Sequence, residues 1–322
     1  MRAVVRERYG DSSVLQVVDR AELPAPTGDQ VLVAVTTAGV NMADWHLMTG
    51  LPAVARLVFG PRAPRRHGLG RDLAGVVRAV GPDVTDLRAG DAVLGTAPAA
   101  FADLALTRAR ALARIPDGVD PGAAAAVPTA GTAALHALRA ARVAPGSRVL
   151  VLGAGGGVGS LAVRLAVLAG AHVTAATSAG KLDAVRALGP AAVVDRADRA
   201  AWGSGYDAVL VTGGLDPLRT LRGLLAPRGA LALVGAEGGG DVIGGGTARQ
   251  LRAAALHPLV RQRLVGVVSR DRPADLARLR DLLADGSLTP AVDRVLPLAQ
   301  AAAAIDHVAS GAARGKVLLA VS

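Results

Sequence analysis

The segment Val149-Leu150-Val151-Leu152-Gly153-Ala154-Gly155-Gly156-Gly157-Val158-Gly159 sets four apolar residues before a stretch dense in glycine. The apolar run predicts a buried strand, and the apolar residues after Gly159 predict a helix. The chain must turn tightly between them, and glycine permits the backbone angles this requires. Such a turn gathers unpaired N–H groups and the positive end of a helix dipole, with no side chain to hold an anion off. That chemistry suits the pyrophosphate of a dinucleotide. Gly153, Gly156 and Gly159 are spaced G-x-x-G-x-x-G, not the strict G-x-G-x-x-G. The reading therefore rests on context as much as on spacing. Gly155, Gly157 and Val158 belong to the same cradle. A turn that serves packing alone is the alternative.

The residues after the next strand bear on which dinucleotide is bound. An NAD site usually places Asp or Glu there for the ribose hydroxyls. Here the strand runs into Thr177-Ser178-Ala179-Gly180-Lys181, and Asp183 comes later, inside a predicted helix. A hydroxyl from Ser178 and a cation from Lys181 suit a 2′-phosphate, so NADPH is expected. Lys181 and Lys316 are the only lysines among 36 basic residues. Arg196, after the third strand, would add a second charge. Gly213 and Gly235, beyond two later strands, are further candidate contacts.

These residues need a frame. Up to about residue 115 the chain reads as short strands (Val31–Val35, Leu73–Val80, Asp91–Leu94) broken by proline and glycine. From 123 to 141 it is alanine-rich and helical, with Pro128 and Gly131 arguing for a late start or an interruption. Strands at 148–152, 171–177, 192–194, 206–211, 230–235 and 264–268 then alternate with helices at 159–169, 181–188 and 218–225. Such alternation means βαβ units and a parallel sheet, an α/β fold. The tail predicts a helix at 275–284, a strand at 291–296, a helix at 299–309 and a strand at 316–321. Gly238–Gly240 and Gly244–Gly246 read as a loop.

Composition narrows the function classes. The chain has 322 residues, 51% hydrophobic, enough for two domains with sizeable cores. It has no cysteine, which removes disulfides and thiolate zinc sites. No signal-peptide pattern opens it and no apolar span suits a membrane helix, so a cytoplasmic location is expected. The net charge is +10, but arginines are scattered and aromatics make up only 2%, which disfavours nucleic acid. An anionic small molecule suits the charge better. His67, His136, His172, His257 and His307 stand apart, without metal-ligand spacing. Tyr9 and Tyr206 form no Tyr-x-x-x-Lys pair, and Gly203-Ser204-Gly205 is too short for a nucleophile elbow.

Several ordered motifs then join the glycine turn. They are Ala38-Gly39-Val40-Asn41-Met42-Ala43-Asp44-Trp45-His46, Leu69-Gly70-Arg71-Asp72-Leu73-Ala74-Gly75, Gly90-Asp91, Ala124-Ala125-Ala126-Val127-Pro128, and Arg314-Gly315-Lys316-Val317. Together they resemble the medium-chain dehydrogenase/reductase superfamily over nearly the whole chain, in its zinc-free quinone-oxidoreductase (zeta-crystallin-like) branch. The resemblance implies a GroES-like β-rich catalytic domain (residues 1–120 and 270–322) and a doubly wound Rossmann domain binding NADPH (residues 121–269). The tail would return to the first domain, and the active site would lie between the two. Zinc members carry Cys where Asn41 stands and His-Glu where Arg71-Asp72 stands, so no metal is expected. A homodimer is expected, paired along the strand at 264–268.

The same resemblance selects Asn41, Asp44 and His46 as catalytic candidates. Asn41 would donate through its amide and His46 would supply a proton or a hydrogen bond. A structural role is the alternative for each, most of all for Asp44. Thr129, Thr132 and Lys316 are candidate cofactor contacts, with helix capping as the alternative for the two threonines. The expected reaction is NADPH-dependent reduction of a quinone or an α,β-unsaturated carbonyl, a small-molecule substrate. A natural-product enoyl or ketone reductase and a non-redox protein that keeps NADPH as a structural or sensory ligand stay open.

Overall fold

The computed structural model describes residues 1–21, 23–235 and 243–321. By packing, the chain divides into two units: Met1–Gly50 with Ala55–Thr132 and Arg270–Ser322, and Leu51–Val54 with Ala133–Ser269.

The first unit is built on a seven-stranded sheet. Its order is Val292–Pro297, Lys316–Ala320, Gln30–Val40, Asp72–Val80, Ala92–Thr96 and Leu112–Arg114, with Leu104–Arg108 also paired to Gln30–Val40. All neighbours are antiparallel except the first two strands. Lys316–Ala320 pairs with Thr37–Val40, so the C-terminal tail does return to this unit. Val31, Val33 and Val35 alternate into the core with Leu73, Val93, Phe101, Val317 and Leu319. This is the inward-facing repeat of a half-buried sheet. With so few aromatics, Phe101 is the one aromatic side chain buried in this core.

Pro128 divides the alanine-rich stretch into two helices, Pro121–Ala126 and Pro128–Ala140. Pro121–Ala126 starts on the carboxylate of Asp120, which accepts from the N–H of Ala123 at 2.9 Å. It packs against Gln30–Val40 so closely that a Cβ at Gly39 would stand 2.5 Å from the carbonyl oxygen of Ala125. The boundary between the units therefore falls at Thr132 rather than at residue 120.

The second unit is a six-stranded parallel sheet. The order is Ala192–Asp195, His172–Thr177, Arg148–Leu152, Tyr206–Val211, Leu225–Val234 and Arg263–Val267. In chain order this is 3-2-1-4-5-6, the doubly wound arrangement that binds dinucleotides where the order reverses. Val149 to Leu152 and Val209 to Val211 are fully buried, as a strand covered on both faces requires.

Three helices lie where the sequence predicts none, the one-turn Arg56–Phe59 among them. Met42–Thr49 follows Asn41 directly. Gly245–Leu256 begins on Gly245 and Gly246, where the glycines predict a loop. Gly238–Gly240, the other part of that loop, lie outside the described residues. Among the described residues no helix is long and apolar enough to cross a membrane.

Candidate active site and dinucleotide cradle

In the second unit the strand Arg148–Leu152 ends in the glycine turn, and the helix Gly157–Leu168 follows. Each glycine answers a different steric demand. Gly153 takes φ +89° and lies against the backbone of Gly213, 2.8 Å from where its Cβ would project. A Cβ on Gly159 would stand 2.0 Å from the Gly153 carbonyl oxygen, so this glycine lets helix and turn close together. Gly156, the helix N-cap, differs: its Cβ would meet only the Gly153 oxygen at 3.5 Å and otherwise point into open space. That open place at a helix start is where a phosphate fits. Gly157 and Val158 form the first turn of the helix.

Thr177 and Lys181 flank Gly155. Its Cβ would come within 2.5 Å of the Thr177 hydroxyl and 2.8 Å of Lys181 Cδ. The lysine stem therefore lies over the glycine turn, beside Ser178, which caps the short helix Ala179–Lys181. Arg196 starts at the same place, its N–H donating to the Thr177 carbonyl at 2.7 Å. Its guanidinium, however, is engaged by buried Asp216 at 2.7 Å, and Asp216 also holds Arg199 at 2.6 Å. Arg196 is thus half of a charge cluster around Asp216 rather than a free second cation. The parallel register also sets Asp195 beside Thr177, its carboxylate accepting from the N–H of Ala197 at 2.9 Å. Asp195 and Asp216 carry no signal in the sequence; strand register reveals the first and the ion pairs the second. Gly235 closes the strand Leu225–Val234 with φ +83°, and its carbonyl accepts from Gln250 at 2.6 Å.

In the first unit Asn41, Asp44, Thr129 and Lys316 converge, and the residue that joins three of them is Asp72. Asn41 Nδ2 donates to Asp72 Oδ2 at 2.9 Å. Thr129 donates to Asp72 Oδ1 through both its N–H (3.0 Å) and its hydroxyl (2.5 Å). Lys316 Nζ reaches Asn41 Oδ1 at 2.5 Å, the Val40 carbonyl at 3.2 Å and Asp72 Oδ2 at 3.4 Å. Asp72 is fully buried and Lys316 nearly so. A charge pair this deep persists only when its remaining donors and acceptors are satisfied, as they are here. Lys316 has no N–H left over for a cofactor; it enters the site as the counter-ion of Asp72. Asn41 likewise turns its amide inward.

Asp44 stands apart from that network by one hydrogen bond. The Asn41 N–H donates to its Oδ2 at 2.8 Å, fixing the start of the helix Met42–Thr49. Its other oxygen is buried without a partner. Burial pushes its carboxyl up to about 7, against the pull of the Asn41 N–H. His46 lies half-buried two residues on, edge-on to the Trp45 ring at 5.1 Å. Thr132 is buried, next to Thr96, Arg110 and Asp271 around a narrow cleft.

The donor set here does not suit zinc. An amide engaged by Asp72 stands at one ligand position and the cationic side chain of Arg71 at another. The Lys316 ammonium lies against the carboxylate of the network, Asp72. Among the described residues no three His, Cys, Asp or Glu are grouped to hold a metal ion.

A family model described as an alcohol dehydrogenase GroES-like domain matches residues 27–117, and one described as a zinc-binding dehydrogenase matches residues 183–319. The quinone oxidoreductase of Coxiella burnetii superposes with a TM-score of 0.88 at 26% identity, covering 100% of this chain and 99% of that one. This chain belongs to the medium-chain dehydrogenase/reductase superfamily. Within that superfamily it lies in the quinone-oxidoreductase-like branch, and it is an oxidoreductase of the α/β, GroES-plus-Rossmann fold. A chloroplast envelope quinone oxidoreductase homolog of Arabidopsis thaliana is 27% identical over 337 residues, 99% of this chain and 98% of its own. A pikromycin polyketide synthase component of Streptomyces venezuelae is 34% identical over 311 residues, 92% of this chain. The chain spans only 8% of that synthase, and it spans 5% to 14% of the other three leading polyketide synthase relatives.

Proposed function

We propose that this member of the superfamily is a zinc-independent reductase that takes NADPH in preference to NADH. It reduces an activated acceptor, a quinone or an α,β-unsaturated carbonyl. The observation that carries the reading is the placement of Lys181 over Gly155, beside Ser178, at the end of the strand His172–Thr177. A cation and a hydroxyl at that point favour a 2′-phosphate. Asp195 alongside Thr177 is the competing feature, since a carboxylate there suits ribose hydroxyls.

The glycine turn would hold the pyrophosphate at Gly156, and a bound reduced nicotinamide supplies the hydride. Asn41 and Thr129 act as positioning residues: they fix Asp72, and with it the packing of Pro121–Ala126 and Pro128–Ala140 on the sheet. Asp44, neutral below about pH 7, holds a proton inside the site at a carboxyl oxygen that no protein group occupies. His46, two residues away on the same helix, is the candidate for passing a proton to the reduced acceptor. The strand Arg263–Val267 ends the parallel sheet with one edge unpaired among the described residues, and it is the edge at which we place a homodimer contact.

The test is tryptophan and nicotinamide fluorescence titration of NADPH and NADH, with the wild-type protein and with Lys181→Ala. NADPH should bind at least tenfold tighter than NADH, and Lys181→Ala should remove most of that difference without weakening NADH. Equal affinities in the wild-type protein would sink the 2′-phosphate assignment.

A further inference from the structure

The first unit contains a cavity of about 400 Å3 that four arginines line: Arg6, Arg65, Arg66 and Arg71, around an apolar floor that includes Leu47 and Phe59. Arg6 is the telling one. It is 2% exposed, yet its buried Nε and Nη1 atoms have no hydrogen-bond partner among the described residues. Its backbone pairs with His67, and the Tyr9 ring lies 5.9 Å from its guanidinium. Burial lowers its pKa from the ordinary guanidinium value. A buried cation with unmet donors is costly, and it persists where a ligand supplies the missing acceptors.

The surrounding charges do not supply them. Asp44 is the carboxylate that acts on Arg6, and burial keeps it protonated up to about pH 7. Arg71 is paired at the surface with Asp271 at 2.8 Å. Arg65 gives one N–H to the Val58 carbonyl at 3.1 Å. Arg66 makes no hydrogen bond or ion pair among the described residues. A second, more open cavity of about 850 Å3 shares Arg66 and Arg71 and adds Arg108 and Arg110, with Asp271, the partner of Arg71, as the carboxylate in its lining.

We infer that this cavity is a binding site for a compact anion, a carboxylate or a phosphate, carried on an apolar body, with Arg6 and Arg66 as its hydrogen-bond donors. The two anions share the same recognition chemistry, since a guanidinium presents paired donors to either. As the site of the acceptor's charged end, the inference rests on the proposed reductase activity. As a binding site it does not.

Isothermal titration calorimetry in the absence of any nicotinamide tests it, with hexanoate, hexyl phosphate and neutral hexanol as probes. At least one of the two anions should bind tenfold or more tighter than hexanol, and whichever is tighter identifies the source. Arg6→Met should bring that anion down to the affinity of hexanol. Arg66→Ala, at an exposed position that does not threaten folding, should weaken it several-fold and leave hexanol unchanged. Equal binding of all three probes would overturn the inference. So would a preference for the anion that survives in Arg66→Ala and in a folded Arg6→Met. No cofactor or turnover enters the measurement, so failure of the reductase reading and failure of this one give different results.

Discussion

Lys316 and Asn41 lie 275 positions apart in the chain and meet at 2.5 Å, the ammonium donating to the side-chain amide oxygen. The contact forms because the last strand pairs antiparallel with Gln30–Val40, in the register that sets Val317 opposite Val40. It explains why a lysine can be buried next to the backbone of an apolar sheet: the amide and Asp72 accept its protons. It also turns two residues of expected functional contact into supports for a third.

Removing that support should be costly. In Lys316→Met, Asp72 keeps the Asn41 and Thr129 donors but loses its counter-ion, and a broken buried pair costs about 3–5 kcal/mol. Urea denaturation should show this as a lower midpoint with an unchanged slope. Adding Asp72→Asn to Lys316→Met should cost less than the sum of the two single changes, because the residues act on each other. Additive losses would mean that the pair contributes nothing as a pair.

The carboxyl of Asp44 predicts a pH dependence. Its pKa is raised in the folded protein from an ordinary carboxylate value to about 7. Between about pH 4 and pH 7 the unfolded chain has released this proton and the folded chain keeps it, so the Asp44 contribution to stability falls as pH rises. Above about pH 7 the loss is complete, on the order of a few kcal/mol. Asp44→Asn still offers an oxygen to the Asn41 N–H and has nothing to ionise. Its stability relative to the wild-type protein should be lowest near pH 4, rise to about pH 7 and then level off. Thermal unfolding of both proteins from pH 4 to 9 checks this, and a flat difference would contradict it.

Two alanine substitutions should separate folding from cofactor binding in the glycine turn. Gly159→Ala sets a methyl 2.0 Å from the Gly153 carbonyl oxygen, so it should lower the melting temperature by several degrees. Gly156→Ala meets only that same oxygen at 3.5 Å and fills the open place at the helix start. It should melt close to the wild-type protein and lose tenfold or more in NADPH affinity by fluorescence titration. If both variants behaved alike, the different placement of the two glycines would have no functional meaning.

The sequence made some elements legible and hid others for physical reasons. Arg148–Leu152 and Tyr206–Val211 match their predicted bounds, because Val149–Leu152 and Ala208–Val211 are unbroken apolar runs, as strands buried on both faces require. The helix Met42–Thr49 carries no apolar stripe, since Met48 is buried while Leu47 is only half-buried on another face. Gly245–Leu256 was hidden by its own start, because glycines read as a loop. At the site, Asn41, Asp44, Thr129 and Lys316 are candidates through the family resemblance of their motifs. The meeting of Asn41, Thr129 and Lys316 on Asp72 does not show in the sequence, since it depends on sheet register and on contacts between residues far apart in the chain. Arg6 gave no signal, lying in a short strand-like opening where a charge reads as exposed. For Arg196, the sequence showed the charge but not Asp216, which lies 20 positions away and takes it up.

Absorbance at the reduced-nicotinamide band tests the central claim most directly, with NADPH and NADH run in parallel against a panel of enones, enoyl thioesters and quinones. The account predicts oxidation of NADPH by at least one acceptor class, with NADH oxidised at least tenfold more slowly at equal concentration and with no dependence on added zinc or chelator. Faster turnover with NADH, or activity that appears only with zinc, would contradict it.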